Sequence, residues 1–432
     1  MLGGFLLEII NSILWAFVTI LIIFCGLYFS KMLSFPQFNL KKIFISLKSS
    51  NNLAISPLKT LYLTLAGRIG VGSIAGVALA IYVGVPGTIF WMWIIAFISG
   101  SLAYSETLLG VKYKTFKKNQ FYGGPSYYIS KGLNNKFLAV TYSFVVIIAY
   151  LIGFIPIQAN TISRSINMSF YVNRFLIGII LGIIVFFMIK GGIKKIIKIT
   201  DKLVPFMTFV YVSMALFVIV INIDIFFDII ILIFKKAFSF SSFFTGFIFT
   251  MLVGIQRGIF SNEAGIGLGS IAASSSSNIN GCRNGYIQVL GIYITTILVC
   301  TATAFMILIF DYNSILLNNP NGIEITSLAF HYHFGNFGKI LLLLCIFLFS
   351  FSTILAAYYY LESSFSFLDS NFSLLFLNFI VPFSVFIGSI LSPTTIWRFV
   401  DILVAILAII NIYSIYKLRF ELFNYHKKYD RI

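Results

Sequence analysis

Charge is what this chain has least of. Asp, Glu, Lys and Arg make up 10% of its 432 residues, against about 25% in soluble domains. That shortage excludes a large water-soluble domain. Cysteine is scarce as well. Cys25, Cys282, Cys300 and Cys345 include no CxxC pair and three of them fall in apolar segments, so they read as small apolar fillers rather than a disulfide framework or zinc site. The three histidines are His331, His333 and His426. The HxH pair lies in an expected outer loop, and two ligands do not make a metal site. Enzyme signatures are missing too: no HExxH, no nucleophile–base pair, no paired carboxylates within one segment. The glycines of 67–76 lack the Gly-Lys-Ser/Thr ending of a phosphate-binding loop.

What is present is apolar. Hydrophobic residues are 59% of the chain and mean hydropathy is +0.99, which describes an all-α polytopic membrane protein. Counting stretches of about 20 apolar residues gives eleven transmembrane helices, near 5–29, 60–84, 88–111, 137–160, 174–189, 203–223, 243–273, 285–310, 338–361, 373–391 and 398–416. The first has neither a basic leader nor a clear small-residue cleavage site, so it reads as a retained helix. The net charge of +17 suggests a nucleic-acid partner until its distribution is examined. With eleven spans, 22 of the 30 Lys and Arg fall on one side and six on the other, while Arg68 and Arg257 lie inside spans. The positive-inside rule makes the first side cytoplasmic, with the N-terminus outside and the C-terminus inside. The partner is then a lipid bilayer, with no nucleic acid.

Two spans are interrupted. Leu65 to Ala80 reads LAGRIGVGSIAGVALA, with Gly67, Gly70, Gly72 and Gly76 around Arg68. Each glycine costs a helix about 1 kcal/mol relative to alanine. Freed backbone groups at membrane depth must find protein or a water-filled cavity. The stretch is either a discontinuous helix that faces a ligand or a face for close helix packing. The seventh span repeats the pattern in Gly254-Ile-Gln-Arg-Gly-Ile-Phe-Ser-Asn-Glu-Ala-Gly265-Ile-Gly267. Arg257 and Glu263 there must face protein or water, and pair with each other if the segment between them is unwound. Interruptions five spans apart point to an inverted repeat. Residues 1–58 are then an extra N-terminal helix and its connection, 59–223 and 224–416 two five-helix repeats, and 417–432 a basic cytoplasmic tail.

Smaller features fill the intervals. Glu106 lies near one end of the third span, either buried with a partner or at the interface. Tyr122-Gly-Gly-Pro-Ser-Tyr-Tyr128 is a turn signal in a cytoplasmic loop. Gln158, Asn160 and Ser163 read as a helix-end cap or as a pathway lining. Pro205 is expected to open the sixth span. Ser352 and Thr353 are hydroxyls on consecutive residues of the ninth span, offering oxygen to a cation or bonding back to their own helix.

At these residues the chain resembles the alanine or glycine:cation symporter family, the sodium:alanine symporters. The matching stretches are RIGVGSIAGVA with VPGTIFWMW (68–93), GGPSYYISKGL (123–133), QANTIS (158–163), KGGIKKIIKITDKLVPFM (190–207), RGIFSNEAGIG (257–267), VLGIYITTILVCTATA (289–304), FSFSTIL (349–355) and WRFVD (397–401). The resemblance implies a leucine-transporter-type 5+5 inverted repeat with one extra N-terminal helix, in a bacterial inner (plasma) membrane. It implies that amides at Gly70, Val71 and Gly72 meet the substrate carboxylate, as helix N-termini bind anions. It implies Na⁺ between the carbonyls of Ala66, Ile69 and Phe349 and the hydroxyls of Ser352 and Thr353. The substrate side chain would meet Gly254, Ile255 and Phe260, with Gln158 on a polar wall. Arg68, Ser73, Arg257, Asn262 and Glu263 take structural or coupling roles. Where the family reads Gly-Thr-Gly-Asn, this chain has Gly70-Val71-Gly72-Ser73, and Thr295 stands at a usual acidic position.

The expected function is Na⁺-driven import of a small neutral amino acid, alanine or glycine, by alternating access. Na⁺ is the coupling ion and no cofactor is expected. An alternative on the same fold is a Na⁺-independent or proton-coupled exchanger of another small amino acid, motivated by Ser73 and Thr295. A channel and a membrane-embedded enzyme are the readings from other classes.

Overall fold

The computed structural model describes residues 2–48, 55–239, 246–310, 322–369 and 374–430. The chain is all-α, about 87% helical, with one short hairpin among the described residues. Helix α1 (Leu2–Met32) leads through a 3-10 turn to α2 (Leu40–Leu47). The first interrupted span is α3 (Pro57–Arg68), a wide π turn at Gly72–Gly76, and α4 (Val77–Gly84); α5 (Thr88–Tyr113) returns from it. Strands β1 (Thr115–Lys117) and β2 (Gln120–Tyr122) and helix α6 (Pro125–Gly132) precede α7 (Lys136–Ile148), which a second π turn, Ala149–Phe154, joins to α8 (Ile155–Phe170). Then come α9 (Arg174–Ile189), α10 (Gly192–Ile221) and α11 (Ile223–Ala237). The second half holds α12 (Ile248–Asn262), α13 (Leu268–Ser274), α14 (Gly281–Ile292), a further π turn at Tyr293–Cys300, α15 (Thr301–Ile309), α16 (Gly322–Leu368), α17 (Leu374–Ile390), α18 (Pro393–Lys417) and α19 (Arg419–Tyr429).

Among the described residues, seven helical stretches are long and apolar enough to cross a bilayer, and the bent pair α3–α4 makes an eighth. The other three expected spans fall on α9, on α17, which are apolar but 16 and 17 residues long, and on α12 with α13. Helix α1 shows why both faces of such a helix are apolar. Trp15, Val18, Ile22, Cys25 and Phe29 are buried on one stripe, while Ile13, Phe17, Ile20, Phe24 and Leu27 form the exposed stripe. Both follow the 3.6-residue period, one side packing on protein and the other suited to lipid. Helix α5 is buried on nearly all sides. Its run of small residues, Ser99, Gly100, Ser101, Ala103 and Ser105, lets α1, α12 and α14 approach closely.

Several loops turn out to be structured. The interval 224–242, expected to be a loop, contains α11. The Tyr122–Tyr128 turn ends the hairpin and opens α6. Helix α10 begins at Gly192 and carries Pro205 inside rather than at its start. His331 and His333 lie not in a loop but on α16, ahead of its kink at Gly335 (φ 62°), and His333 Nε2 is 2.8 Å from the Met306 carbonyl oxygen. The hairpin rests on α16: the Tyr359 hydroxyl donates to the Phe121 carbonyl at 2.9 Å, and Tyr122 donates to Glu362 Oε1 at 2.7 Å. Just beyond α5, Lys114 donates to the carbonyls of Ser276 at 2.7 Å and Asn278 at 2.8 Å. Burial pulls its ammonium down to about 8.

Candidate functional site

The glycines of the first interrupted span do break it. Helix α3 stops at Arg68, and the chain resumes at an angle of 57°. The Gly70 N–H turns to the Arg68 carbonyl at 3.1 Å, instead of making the four-residue helical bond to Ala66. The released Ala66 carbonyl faces α16. Thr353 Oγ1 lies 2.9 Å from it and Ser352 Oγ 3.5 Å. Both hydroxyls also reach the Phe349 carbonyl, at 2.8 Å from Ser352 and 3.0 Å from Thr353. Four of the five expected cation ligands thus converge as a knot of hard oxygens. Each hydroxyl has a single hydrogen for two carbonyls. Ile69, the fifth, sits at the turn itself as the cap of α3.

The substrate-facing residues gather on the same break. The Val71 N–H donates to Gln158 Oε1 at 3.0 Å. A methyl group added to Gly70 would lie 2.5 Å from Thr353 Oγ1 and 3.0 Å from Gln158 Oε1, so even alanine there would displace both side-chain ends. Gln158 is therefore no helix-end cap: α8 runs on to Phe170. Asn160 and Ser163 instead bond across to α17, to the carbonyls of Gly388 at 3.0 Å and Ser389 at 2.8 Å. Gly72 lies against the Phe260 ring, which stacks with Phe154 at 5.4 Å and meets Trp397 at 4.9 Å. Ser73 Oγ lies 3.0 Å from Ser261 Oγ, itself 3.1 Å from Cys300 Sγ. The two interrupted spans therefore touch at Gly72–Phe260 and Ser73–Ser261. Ile255 is buried in the core. Gly254 is not brought to this place: it packs against Thr88 and Trp91 of α5.

The second interruption places its charges differently from the expected pairing. Helix α12 is continuous through Asn262, so Arg257 and Glu263, six residues apart, point in different directions around it. Arg257 instead holds Asp401 of α18 in a two-pronged pair at 3.2 and 2.7 Å, with its guanidinium 5.0 Å from the Trp397 ring centre. Glu263 is left-handed (φ 54°) and accepts from the Tyr150 hydroxyl at 3.3 Å. Gly265 and Gly267 follow with φ of 81° and 94°, a region glycine enters freely. The backbone freed there is satisfied by protein. Tyr142 donates to the Ile266 carbonyl at 2.7 Å and Asn411 to that of Gly265 at 2.9 Å. The Asn262 side chain accepts from the Ala264 N–H at 3.0 Å. Glu106 is fully buried rather than interfacial, and its Oε2 accepts from the Gly267 N–H at 3.1 Å. Arg68 is buried as well and donates to the Gln288 carbonyl at 3.2 Å. The Thr295 hydroxyl turns back to its own helix, at 2.8 Å from the Gly291 carbonyl.

Comparison with known proteins bears on what such an arrangement serves. Residues 4–432 match the model of the sodium:alanine symporter family. The chain belongs to the sodium:alanine symporter family. Amino-acid carrier protein AlsT of Bacillus subtilis is 32% identical over 99% of this chain and 92% of that protein. The probable sodium/glutamine symporter GlnT of the same organism is 33% identical over 99% and 90%. The sodium/alanine symporter AgcS of Methanococcus maripaludis is 32% identical over 94% and 93%. The protein is a multi-pass membrane transporter and not an enzyme. The residues brought to these breaks that escaped notice in the sequence are Tyr142, Tyr150, Phe154, Gln288 and Asn411. A lone amide in an apolar span was the available signal for the last two. Trp397 and Asp401 lay in a matched stretch but without a partner to explain them.

Proposed function

We propose that the protein imports a small neutral amino acid, alanine or glycine, together with Na⁺ by alternating access across a bacterial plasma membrane. The knot of oxygens from Ala66, Phe349, Ser352 and Thr353 carries this reading. Carbonyl and hydroxyl oxygens suit an alkali cation, and these are supplied by a helix break facing a second, intact helix. With a cation bound, hydroxyl lone pairs turn toward it while their hydrogens go to carbonyls outside its shell. The adjacent amides at Gly70, Val71 and Gly72 are the proposed seat of the substrate carboxylate. The Gln158 carboxamide oxygen, now on the Val71 N–H, occupies the chemical role a carboxylate oxygen takes over. The Phe260 ring packed on Gly72, with Phe154 and Trp397 against it, favours a cargo with a short side chain.

In this reading the eleven helical segments form two inverted five-helix repeats, 59–223 and 224–416, behind one extra helix. The lysine-rich loops face the cytoplasm. A membrane potential contributes about 2.3 kcal/mol per charge per 100 mV to inward Na⁺ movement, which drives accumulation of the amino acid. The alternative, a Na⁺-independent or proton-coupled exchanger, draws on Thr295, whose hydroxyl stands at a position usually acidic in the family and bonds only within its helix.

The test is uptake of labelled alanine by purified protein in liposomes, under an inward Na⁺ gradient and with choline in place of Na⁺. Accumulation with Na⁺ alone supports the symporter. Equal uptake in choline overturns Na⁺ coupling in favour of the exchanger. Competition by unlabelled glycine, but not by glutamine, supports the short-side-chain cargo, and the reverse order overturns it.

A further inference from the structure

One interior region leaves its polar atoms without protein partners. Arg68, Glu106, Glu263, Gln288 and Tyr360 are each 2% exposed or less. Among the described residues, Arg68 Nε and Nη2, Glu106 Oε1, Glu263 Oε2, Gln288 Oε1 and the Tyr360 hydroxyl make no hydrogen bond. The other atoms of these groups are engaged. Glu106 Oε2 accepts from Gly267 and, at 2.9 Å, from Asn411. Gln288 Nε2 donates to Thr64 at 3.0 Å. A buried polar atom left unpaired costs about 1–3 kcal/mol, and a charged one more. In native interiors such atoms mark bound water or an ion.

Three of the unpaired atoms converge on Gly269. A methyl group on Gly269 would lie 2.5 Å from Arg68 Nη2, 3.4 Å from Glu106 Oε1 and 3.5 Å from Gln288 Oε1. One water accepts from an N–H and donates to two oxygens, which matches those three atoms. Around Gly67, a methyl group would lie 2.8 Å from the Tyr360 hydroxyl. The charges do not balance, however. Two carboxylates, Glu106 from α5 and Glu263 from the end of α12, face one guanidinium, Arg68 from α3. The remaining titratable groups that bear on them are the neutral hydroxyls of Tyr128 (α6), Tyr142 (α7), Tyr150 (the second π turn) and Tyr360 (α16). An uncompensated charge in an interior is not stable without a counter-charge.

We propose that this cluster is a second cation site, holding one monovalent positive charge, Na⁺ or a proton, on the unpaired oxygens of Glu106 and Glu263, with water linking Arg68 to them. It shares no side chain with the Ser352–Thr353 knot, and binding there does not depend on the symporter reading. Charge balance makes a definite demand: replacing either carboxylate by its amide neutralises the cluster and removes the need for the cation. If the protein transports by alternating access, the charge counts in the coupling stoichiometry.

The experiment is equilibrium binding of radioactive Na⁺ to purified protein in detergent, with infrared spectra of the same samples. If the cation is Na⁺, Glu106→Gln and Glu263→Gln each lose one equivalent of bound Na⁺. The Ser352→Ala/Thr353→Val double variant loses a different equivalent. If it is a proton, the Na⁺ count is unchanged in the two glutamine variants, but both lose a carbonyl band of neutral carboxylic acid that the parent shows. Identical Na⁺ counts together with identical carboxyl bands in parent, Glu106→Gln and Glu263→Gln overturn the proposal. Should either variant fail to fold, the parent decides. A single bound Na⁺, lost in the Ser352/Thr353 variant, with no neutral-carboxyl band, overturns it equally. Failure of the Ser352–Thr353 site reads out separately, as no Na⁺ loss in that double variant.

Discussion

The two interruptions look alike as sequence, both glycine-rich and both carrying an arginine, yet they are built differently. At the first, freed backbone groups are met by side chains that a ligand can relieve: the Ala66 carbonyl by two hydroxyls, the Val71 amide by the Gln158 carboxamide. At the second, they are met by fixed neighbours, Tyr142, Asn411 and Glu106, and the chain is held in three left-handed residues. In the proposed function the first is a break made for exchange, whereas the second is a joint. In a bilayer both satisfy the rule that no polar backbone group goes unmet, but the first does so with two hydroxyls and a carboxamide, the second with a tyrosine, an asparagine and a carboxylate.

The comparison is broken most sharply at the glycines. Gly267→Ala puts a side chain 2.5 Å from the Tyr142 hydroxyl at φ 94°. Backbone strain alone costs about 1–3 kcal/mol, and the clash adds to it, so we expect little monodisperse protein by size-exclusion chromatography. Gly70→Ala meets only the ends of Thr353 and Gln158. It should fold, with a near-parental melting temperature and no Na⁺-dependent uptake. A second contrast is between the joint's neighbouring ion pair and the oxygen knot. Asp401→Asn leaves Arg257 buried and half-paired, and breaking such a pair costs about 3–5 kcal/mol, which thermal unfolding in detergent will register. The Ser352→Ala/Thr353→Val variant should leave melting nearly unchanged and raise the Na⁺ half-saturation of uptake at least about tenfold, or about 1.4 kcal/mol.

The smallest effect lies beyond the joint, at Lys114, which ties the start of the hairpin to the connector after α13. Burial lowers its pKa in the folded protein to about 8, below the unfolded value of about 10.4. The unfolded chain then binds more protons between those values, so stability rises with pH across that window. Melting measured from pH 8 to pH 10 should show the rise in the parent and a flatter profile in Lys114→Met.

The interruptions, their glycines and the Ser352–Thr353 hydroxyls were legible because each is a local anomaly in an apolar run. Apolar segments likewise marked where the long helices lie. What the sequence withheld is tertiary. Arg257 finds Asp401 across 144 positions, and no spacing rule announces it, whereas Glu263 stood nearby and invited the wrong pairing. Gln158 looked like a cap because the helix was expected to stop near it; the π turn at Ala149–Phe154 absorbs the irregularity and α8 continues. Pro156, which has no amide hydrogen to donate, is the second residue after that turn. Helix α11 was missed because its residues, though apolar on one face, are too few to span and carry Asp224, Asp228, Lys235 and Lys236.

Helix α16 has a mechanical consequence. Thr353, in the oxygen knot, and Glu362, against the hairpin, stand nine residues apart on one uninterrupted stretch beyond the Gly335 kink. At 1.5 Å per residue that is a rod of about 13.5 Å. Pivoted at Thr353, a tilt of about 10° displaces its Glu362 end by roughly 2.3 Å by the same geometry, close to the length of a hydrogen bond. The rod is thus a lever: a small tilt about the oxygen knot would be enough to make or part the Tyr122–Glu362 bond that holds the hairpin down.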